Sequence, residues 1–364
     1  MKELSSLDNQ ALESSSTLDK LALEVLKNYS IAPENISVIQ GGNIKTVWKI
    51  KTKKGMLCLK RLKQSFDKAL FSTNAQNYIK ECGGNVPSIL RDNNGQLIVQ
   101  HNDQLFVLYE WIHGKDLNFS NSSDLAAALE GLARFHISSK GYKPLENARV
   151  SSKLGKWPEQ YTSMKNRLAE WKNVSKNVSL PYHSAYLKHV DSILEIAEMA
   201  LKYLDKSNYE KLVSPQSNLP VLCHQDFGKG NALLTENGVY VIDLDGVTFD
   251  LPVRDLRKII GKQAEVKGQW DLEKINSIIA SYTAINPMSG SEKELLYIDL
   301  LFPHWFFGLV KNLFQNKKPL KPSEIERISM LEQSKLKILK PLLGEKGSAS
   351  SSPIVTKRKT SKGK

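Results

Sequence analysis

The chain has 364 residues, 41% of them hydrophobic and 24% charged, which suits about two lobes around a sizeable core and excludes wholesale disorder. No run approaches the roughly 18–20 apolar residues that span a bilayer, and Met1-Lys2-Glu3-Leu4-Ser5-Ser6 lacks the apolar stretch of a signal peptide. Of the net charge of +13, six cations (Lys346, Lys357, Arg358, Lys359, Lys362 and Lys364) follow Glu345 with no acid among them, leaving +7 on the rest. That is a basic tail on a mildly basic body rather than a nucleic-acid-binding face, so nucleic acid is not the expected partner. The cysteines Cys58, Cys82 and Cys223 are too few and too scattered for a disulfide framework or a zinc site. A soluble, reduced, intracellular protein with no membrane partner is expected.

Residues 1–16 are Ser-rich and read as a disordered segment. A helix is expected from about Leu18 to Tyr29, where Leu18, Leu21, Leu23, Val25 and Leu26 form an apolar face. Short strands follow at 36–39, 46–50 and 56–60, linked through Gly41-Gly42-Asn43 and Lys53-Lys54-Gly55, which have hairpin chemistry. A helix from about Lys68 to Glu81 ends at Gly83-Gly84, and strands are expected at 97–99 and 105–109. After Gly114 the texture turns helical: 125–136, 159–176, 183–204, 256–262, 272–282, 292–308 and 324–339. Strands interrupt this only at 221–222 and 239–242. The expectation is an α+β, bilobal chain, with a small antiparallel β lobe over 17–112, a larger helical lobe over 113–345, and a basic disordered tail over 346–364. A cleft between two such lobes is a common ligand site.

The densest chemistry lies in Leu222-Cys223-His224-Gln225-Asp226-Phe227-Gly228-Lys229-Gly230-Asn231, followed by a short apolar strand, a turn at Glu236-Asn237-Gly238, and Val241-Ile242-Asp243-Leu244-Asp245. This order suits phosphoryl transfer. Asp226, in a tight loop, is the candidate base for an attacking hydroxyl. Asn231 bends back toward Mg²⁺, and Asp243, delivered by the next strand, bridges the metal to the phosphates. The residue types fit, since a hard cation takes oxygen ligands and proton abstraction takes a carboxylate. Asp226 and Asn231 alone would read as turn residues and Asp243 as a strand cap; the ordered set around a hairpin argues against that. His224 is expected to hold the loop rather than to move a proton.

Upstream, Gly41, Gly42 and Asn43 can cover phosphates with backbone N–H groups. Lys60 ends a strand where a phosphate-pairing lysine belongs, with Arg61 as a rival cation. Backbone groups of Glu110 and Ile112, between the lobes, can hydrogen-bond a purine edge, while Trp111 reads as a packed hinge aromatic.

The stretch from His224 to Asp245, the helix end Leu132-Ala133-Arg134-Phe135-His136 and the Lys60 strand resemble the aminoglycoside phosphotransferase and choline kinase superfamily. More narrowly, Cys58-Leu59-Lys60-Arg61, Lys153-Leu154-Gly155-Lys156-Trp157-Pro158, Leu222-Cys223-His224-Gln225-Asp226 and Asp250-Leu251-Pro252-Val253-Arg254-Asp255-Leu256-Arg257-Lys258 resemble the CotS/CotI family of spore coat proteins. The resemblance runs from about residue 18 to 340. It implies a protein-kinase-like fold, ATP and Mg²⁺ as cofactors, a hydroxylated acceptor, other coat proteins as partners, and residence in the mother-cell cytoplasm and then the spore coat. It also implies that Asp255 props the catalytic loop through backbone amides, a role compatible with helix N-capping. The sequence departs from the superfamily in one place. Where active members carry a helix glutamate that pairs with the strand lysine, this chain has Gln76 or Asn77, with Glu81 about one turn late.

Two functions compete: an ATP-dependent phosphotransferase acting on a small hydroxylated molecule or a coat component, and a catalytically weak kinase-fold interaction protein of the coat. An acceptor pocket is expected from the helical insert over 141–204, which offers Trp157, Tyr161, Trp171, Tyr182 and Tyr186. The abundance of lysine and arginine over 140–176 argues against a polycationic drug and for a neutral or anionic acceptor.

Overall fold

A computed structural model of the chain describes residues 15–41 and 46–344. The basic tail over 346–364 lies outside the described residues, as do residues 1–14, Gly42 and Asn43, while Ser15 and Ser16, expected in the disordered segment, begin the first helix.

Helix α1 (Ser15–Leu26) turns Leu18, Ala22, Val25 and Leu26 inward and continues into a 3-10 turn at Lys27–Tyr29. Strands β1 (Asn35–Gln40), β2 (Thr46–Thr52) and β3 (Gly55–Leu62) form an antiparallel meander. The two-residue turn Lys53-Lys54 between β2 and β3 leads into Gly55 at φ 135°, a value a side chain would strain. Helix α2 (Phe66–Glu81) precedes β4 (Ile89–Leu90), β5 (Val99–His101) and β6 (Gln104–Glu110). The sheet runs β1-β2-β3-β6-β4, with β5 also on β6. Strand alternation sends Trp48, Ile50, Leu59, Phe106 and Leu108 against α1, and Leu62, Leu105, Val107 and Tyr109 to the opposite face with Ala69 of α2. Farther along α2, Phe71, Ala75 and Ile79 belong to the core of the large lobe instead.

The large lobe contains β7 (Lys115–Asp116), α3 (Ser122–Ser138), α4 (Trp157–Ser175), α5 (Pro181–Asp205), α6 (Tyr209–Leu212), β8 (Val221–Cys223), β9 (Ala232–Thr235), β10 (Gly238–Val241) and β11 (Thr248–Asp250). Helices α7 (Val253–Lys267), α8 (Leu272–Thr283), α9 (Gly290–Leu301), α10 (His304–Phe314), α11 (Pro322–Ser334) and α12 (Leu336–Gly344) complete it. The order β10-β9-β7 makes one small sheet and β11-β8 another. Asn121 caps α3 by accepting from the N–H groups of Ser123 and Asp124. The same helix seats the β9–β10 hairpin at Gly131, where a Cβ would lie 2.6 Å from Val239 Cβ.

Two expected helices are each divided. The 292–308 helix breaks at Phe302-Pro303, because proline removes a helical N–H and forces the preceding residue out of the α region. The 324–339 helix breaks at Lys335, whose buried ammonium bonds the Phe302 carbonyl at 3.0 Å and the Glu332 carboxylate. Four of the aromatics expected to line an acceptor pocket are core residues. Trp157, Tyr161, Trp171 and Tyr186 are buried and stack on Tyr209, Phe302, Phe314 and Phe306 respectively. Burial of their large apolar area outweighs any use as a ligand wall. Among the described residues no helix is long and apolar enough to cross a membrane.

Candidate active site

Strand β8 delivers the chain into the loop 224–231, and β9 and β10 carry it back to Asp243. Asp255, near the start of α7, sits beneath this loop. Its carboxylate accepts the N–H of His224 at 2.6 Å and of Gln225 at 3.0 Å, and faces His136 Nε2 at 3.2 Å. Tyr282 Oη accepts from Asn286 at 2.7 Å and so has its own proton to give His136 Nδ1, also at 2.7 Å. That leaves Nε2–H of His136 to donate to Asp255. Burial works against the Asp255 charge, but the His136 hydrogen bond, the nearby histidines and the loop N–H outweigh it and hold its pKa below the ordinary value. His136, Cys223 and Asp255 lie close enough to suggest a metal set. Their bonds are already spent on the brace, with Cys223 Sγ directed at the Leu251 carbonyl at 3.2 Å.

His224 ties the loop to the hairpin. Its Nε2–H donates to the Ile242 carbonyl at 2.9 Å, and its Nδ1 accepts from Asp226 N at 3.2 Å. This is a holding role, as the sequence suggests. Gln225 and Asp243 sit in the left-handed region at φ 70° and 62°. Such backbone strain costs roughly 1–3 kcal/mol per residue and clusters at sites where geometry is imposed.

Asp226 itself is exposed. Asn231 donates its Nδ2–H to the Asp226 carbonyl at 2.9 Å, so its Oδ1 faces the other way as an open acceptor. Ile242 N–H bonds the Asn231 carbonyl at 3.1 Å, joining the end of the loop to the residue before Asp243. Lys60, on β3, crosses from the sheet to this turn. Its Nζ lies 2.6 Å from Asp243 Oδ1 and 2.7 Å from Asp245 Oδ2. Burial opposes its charge, yet Asp245 and Asp243 outweigh that and raise its pKa above the usual lysine value. The rival cation Arg61 is turned elsewhere, donating to Thr46 Oγ1 at 2.9 Å and Gln104 Oε1 at 3.2 Å.

The fold thus brings Lys60, Asp243, Asn231 and Asp226 onto one connected set of strands and loops. Gly41, the residue after β1, is exposed. The N–H of Glu110 is already committed to the Ser88 carbonyl at 3.0 Å, and its side chain lies 3.7 Å from Lys80. Only its carbonyl remains to pair with Ile112 at a purine edge. The residue that sequence reasoning missed is Asp245. It stands in the quoted motif two positions after Asp243, in the 3-10 turn Leu244–Gly246. The D-x-D spacing was its signal. The departure on α2 also takes a definite form. Gln76 is buried and donates to the Pro87 carbonyl at 2.8 Å, while Asn77 donates to Glu81 at 2.7 Å. Among the described residues α2 supplies Lys60 no carboxylate, and Asp245 is the second one Lys60 meets.

Farther back, Asp299 gathers Arg254, Arg257, His304 and Tyr161, while Asp250 takes Arg254 Nε at 3.0 Å and Trp157 Nε1 at 2.9 Å. This buried network ties α7, which carries Asp255, to α4, α9 and α10.

Among solved structures, an aminoglycoside phosphotransferase from Alicyclobacillus acidocaldarius superposes with a TM-score of 0.70 at 16% identity, over 88% of this chain and 94% of that one. A spectinomycin phosphotransferase solved with ADP and spectinomycin gives 0.54 at 17% identity, over 86% and 93%. Amicoumacin kinase solved with AMP-PNP and Ca²⁺ gives 0.59 at 13% identity, over 86% and 93%. These likenesses establish the kinase-like fold. Spore coat protein S of Bacillus subtilis is 26% identical over 303 residues, 82% of this chain and 86% of that one. The endospore coat-associated protein YutH of the same organism is 26% identical over 194 residues, 51% and 54% of the two chains. The family described as "Spore coat putative kinase YutH" matches residues 24–337. The chain belongs to this YutH family of kinase-like spore coat proteins.

Proposed function

We propose that the chain binds a magnesium nucleoside triphosphate, ATP in the first instance, between its lobes and transfers the γ-phosphoryl group to a hydroxyl of a small molecule or coat component. The observation that carries this is the Lys60 ammonium held 2.6 Å from Asp243, beside a loop whose backbone is pinned by Asp255. The acceptor oxygen forms a bond to the γ-phosphorus, the bond to the β–γ bridging oxygen breaks, and nucleoside diphosphate departs. The hydroxyl proton passes to the Asp226 carboxylate. Lys60 pairs with the phosphates, Gly41, Gly42 and Asn43 cover them, and the Glu110 carbonyl and Ile112 N–H face the purine. The open Oδ1 of Asn231 and the carboxylates of Asp243 and Asp245 form an all-oxygen donor set that fits Mg²⁺. When bound there, Mg²⁺ neutralises charge on the phosphates. The relatives' names support a working place in the spore coat, among other coat proteins.

The lack of a carboxylate from α2 at Lys60 favours a second reading, a kinase-fold coat component without turnover. Titration calorimetry with Mg-ATP separates the two. Metal-dependent binding that Asp243→Ala abolishes supports the nucleotide site and opens the search for an acceptor. No binding by a folded wild-type chain turns the reading to the coat component.

A further inference from the structure

Beside the Asp245 turn opens a cavity of about 360 Å³. Lys68 and Phe71 of α2 form one wall, Arg149 and Ser151 of the segment before α4 a second, and Asp245 and Gly246 a third. The walls are tied to one another. Arg149 N–H donates to the Asp67 carbonyl at 3.0 Å, and Ser151 Oγ bonds Thr248 Oγ1 at 2.8 Å. Gly246 backs onto the catalytic loop, since a Cβ there would come 3.8 Å from the His224 carbonyl, two residues before Asp226.

The cations of this cavity are only partly answered: Arg149 feels the Asp67 carboxylate through space, without a side-chain hydrogen bond or ion pair to it. Asp245 is answered by Lys60 at 2.7 Å. The Lys68 ammonium and the Arg149 guanidinium, from two separate segments, have no hydrogen bond or ion pair among the described residues. A guanidinium grips a planar carboxylate or a phosphate with two parallel bonds, and a lysine adds a mobile point charge. Val150, exposed on the same lining, supplies an apolar surface for a carbon skeleton. We propose that this cavity binds the carboxylate or phosphate group of a small acceptor through Arg149 and Lys68, and so presents the acceptor's hydroxyl toward Asp226. The presentation rests on the phosphotransfer reading above, with the same bonds made and broken. The anion site itself does not.

The test is calorimetric titration of the full chain with glycerol 3-phosphate and inorganic phosphate, with glycerol as the uncharged counterpart, in the presence and absence of Mg-ADP. The charged probes bind and glycerol does not. The double variant Lys68→Gln/Arg149→Gln weakens them about tenfold or more, the effect of losing hydrogen bonds to a charged group, with nucleotide affinity and Tm unchanged. Absence of binding by both charged probes, an unaltered affinity in the double variant, or displacement by Mg-ADP overturns the proposal. So does a phosphoserine peptide that binds where the small probes do not. A chain that holds glycerol 3-phosphate through Lys68 and Arg149 but takes no Mg-ADP keeps the anion site and loses the transfer.

Discussion

Replacing Asp255 with asparagine tests what holds the loop 224–231. The carboxylate accepts from His224 N at 2.6 Å, Gln225 N at 3.0 Å and His136 Nε2 at 3.2 Å, on both of its oxygens. An amide keeps one acceptor oxygen and turns an NH₂ toward a donor, so at least one buried N–H is stranded whichever way it sits. Losing a hydrogen bond to a charged group costs about 1.5–3 kcal/mol, and stranding a buried donor about 1–3 kcal/mol. The expected loss is therefore about 3–5 kcal/mol, comparable with breaking one half of a buried charged pair. Urea unfolding followed by tryptophan fluorescence reads this as a lower midpoint at unchanged slope. The dependence on pH has a definite sign. The folded pKa of Asp255 is lowered from 3.8, so its contribution is full above that value and is lost as pH falls through the folded value. The gap between wild type and variant should be constant near neutrality and close below about pH 4. A loss under about 1 kcal/mol at pH 7, or a gap that widens in acid, would refute the brace.

Asp226→Asn should abolish phosphoryl transfer in a coupled assay while nucleotide affinity stays within about twofold, because it removes a base and no phosphate contact; equal activity removes Asp226 from the mechanism. Gln76→Glu, which the sequence alone would recommend as a repair, should destabilise the chain by about 1–3 kcal/mol in thermal unfolding and bring no gain in activity. Its carboxylate would face the Pro87 carbonyl, now 2.8 Å from the Gln76 amide, and not Lys60. Gly261→Ala should lower Tm although alanine is the better helix former by about 1 kcal/mol. The added Cβ would lie 1.8 Å from Trp305 Cη2, and that ring also faces Arg257 and Trp270. An unchanged or raised Tm would mean that Trp305 moves aside freely.

Much of the site was legible because its parts are local. The His224–Asn231 loop, the Glu236-Asn237-Gly238 turn and Asp243 lie within twenty residues, and hairpin chemistry fixes how such a stretch folds. Lys60 was legible as a cation closing the apolar run Met56-Leu57-Cys58-Leu59, with Arg61 as its rival. What escaped depends on distance or brevity. Strands β7 and β11, two and three residues long, are too short to show a period. Periodicity gives an aromatic a helix face but not its neighbour, so the expected pocket lining of Trp157 and Tyr161 gave no sign of their stacking in the core. The Asp299 network joins α4, α7, α9 and α10, and a lone aspartate late in α9 gives no sign of it. The position of Gln76 invited alignment with a helix glutamate, but its hydrogen bond to the Pro87 carbonyl was not foreseeable without the fold.

The ion pairs of Lys60 change how such a protein could be turned off. In a kinase whose lysine is held by a glutamate of the small-lobe helix, swinging that helix outward disarms the lysine and leaves the rest of the enzyme in place. Here the helix is no part of that linkage. The inward face of α2 is embedded through Phe71, Ala75 and Ile79 in the large lobe, and the lysine reaches over to Asp243 and Asp245 of that same lobe. Moving the helix would break a hydrophobic core and still leave the lysine seated. Disarming this site means lifting the whole β-sheet away from the turn below it. Any brake on the protein therefore has to act as a wedge between the two halves, because the helix offers no lever.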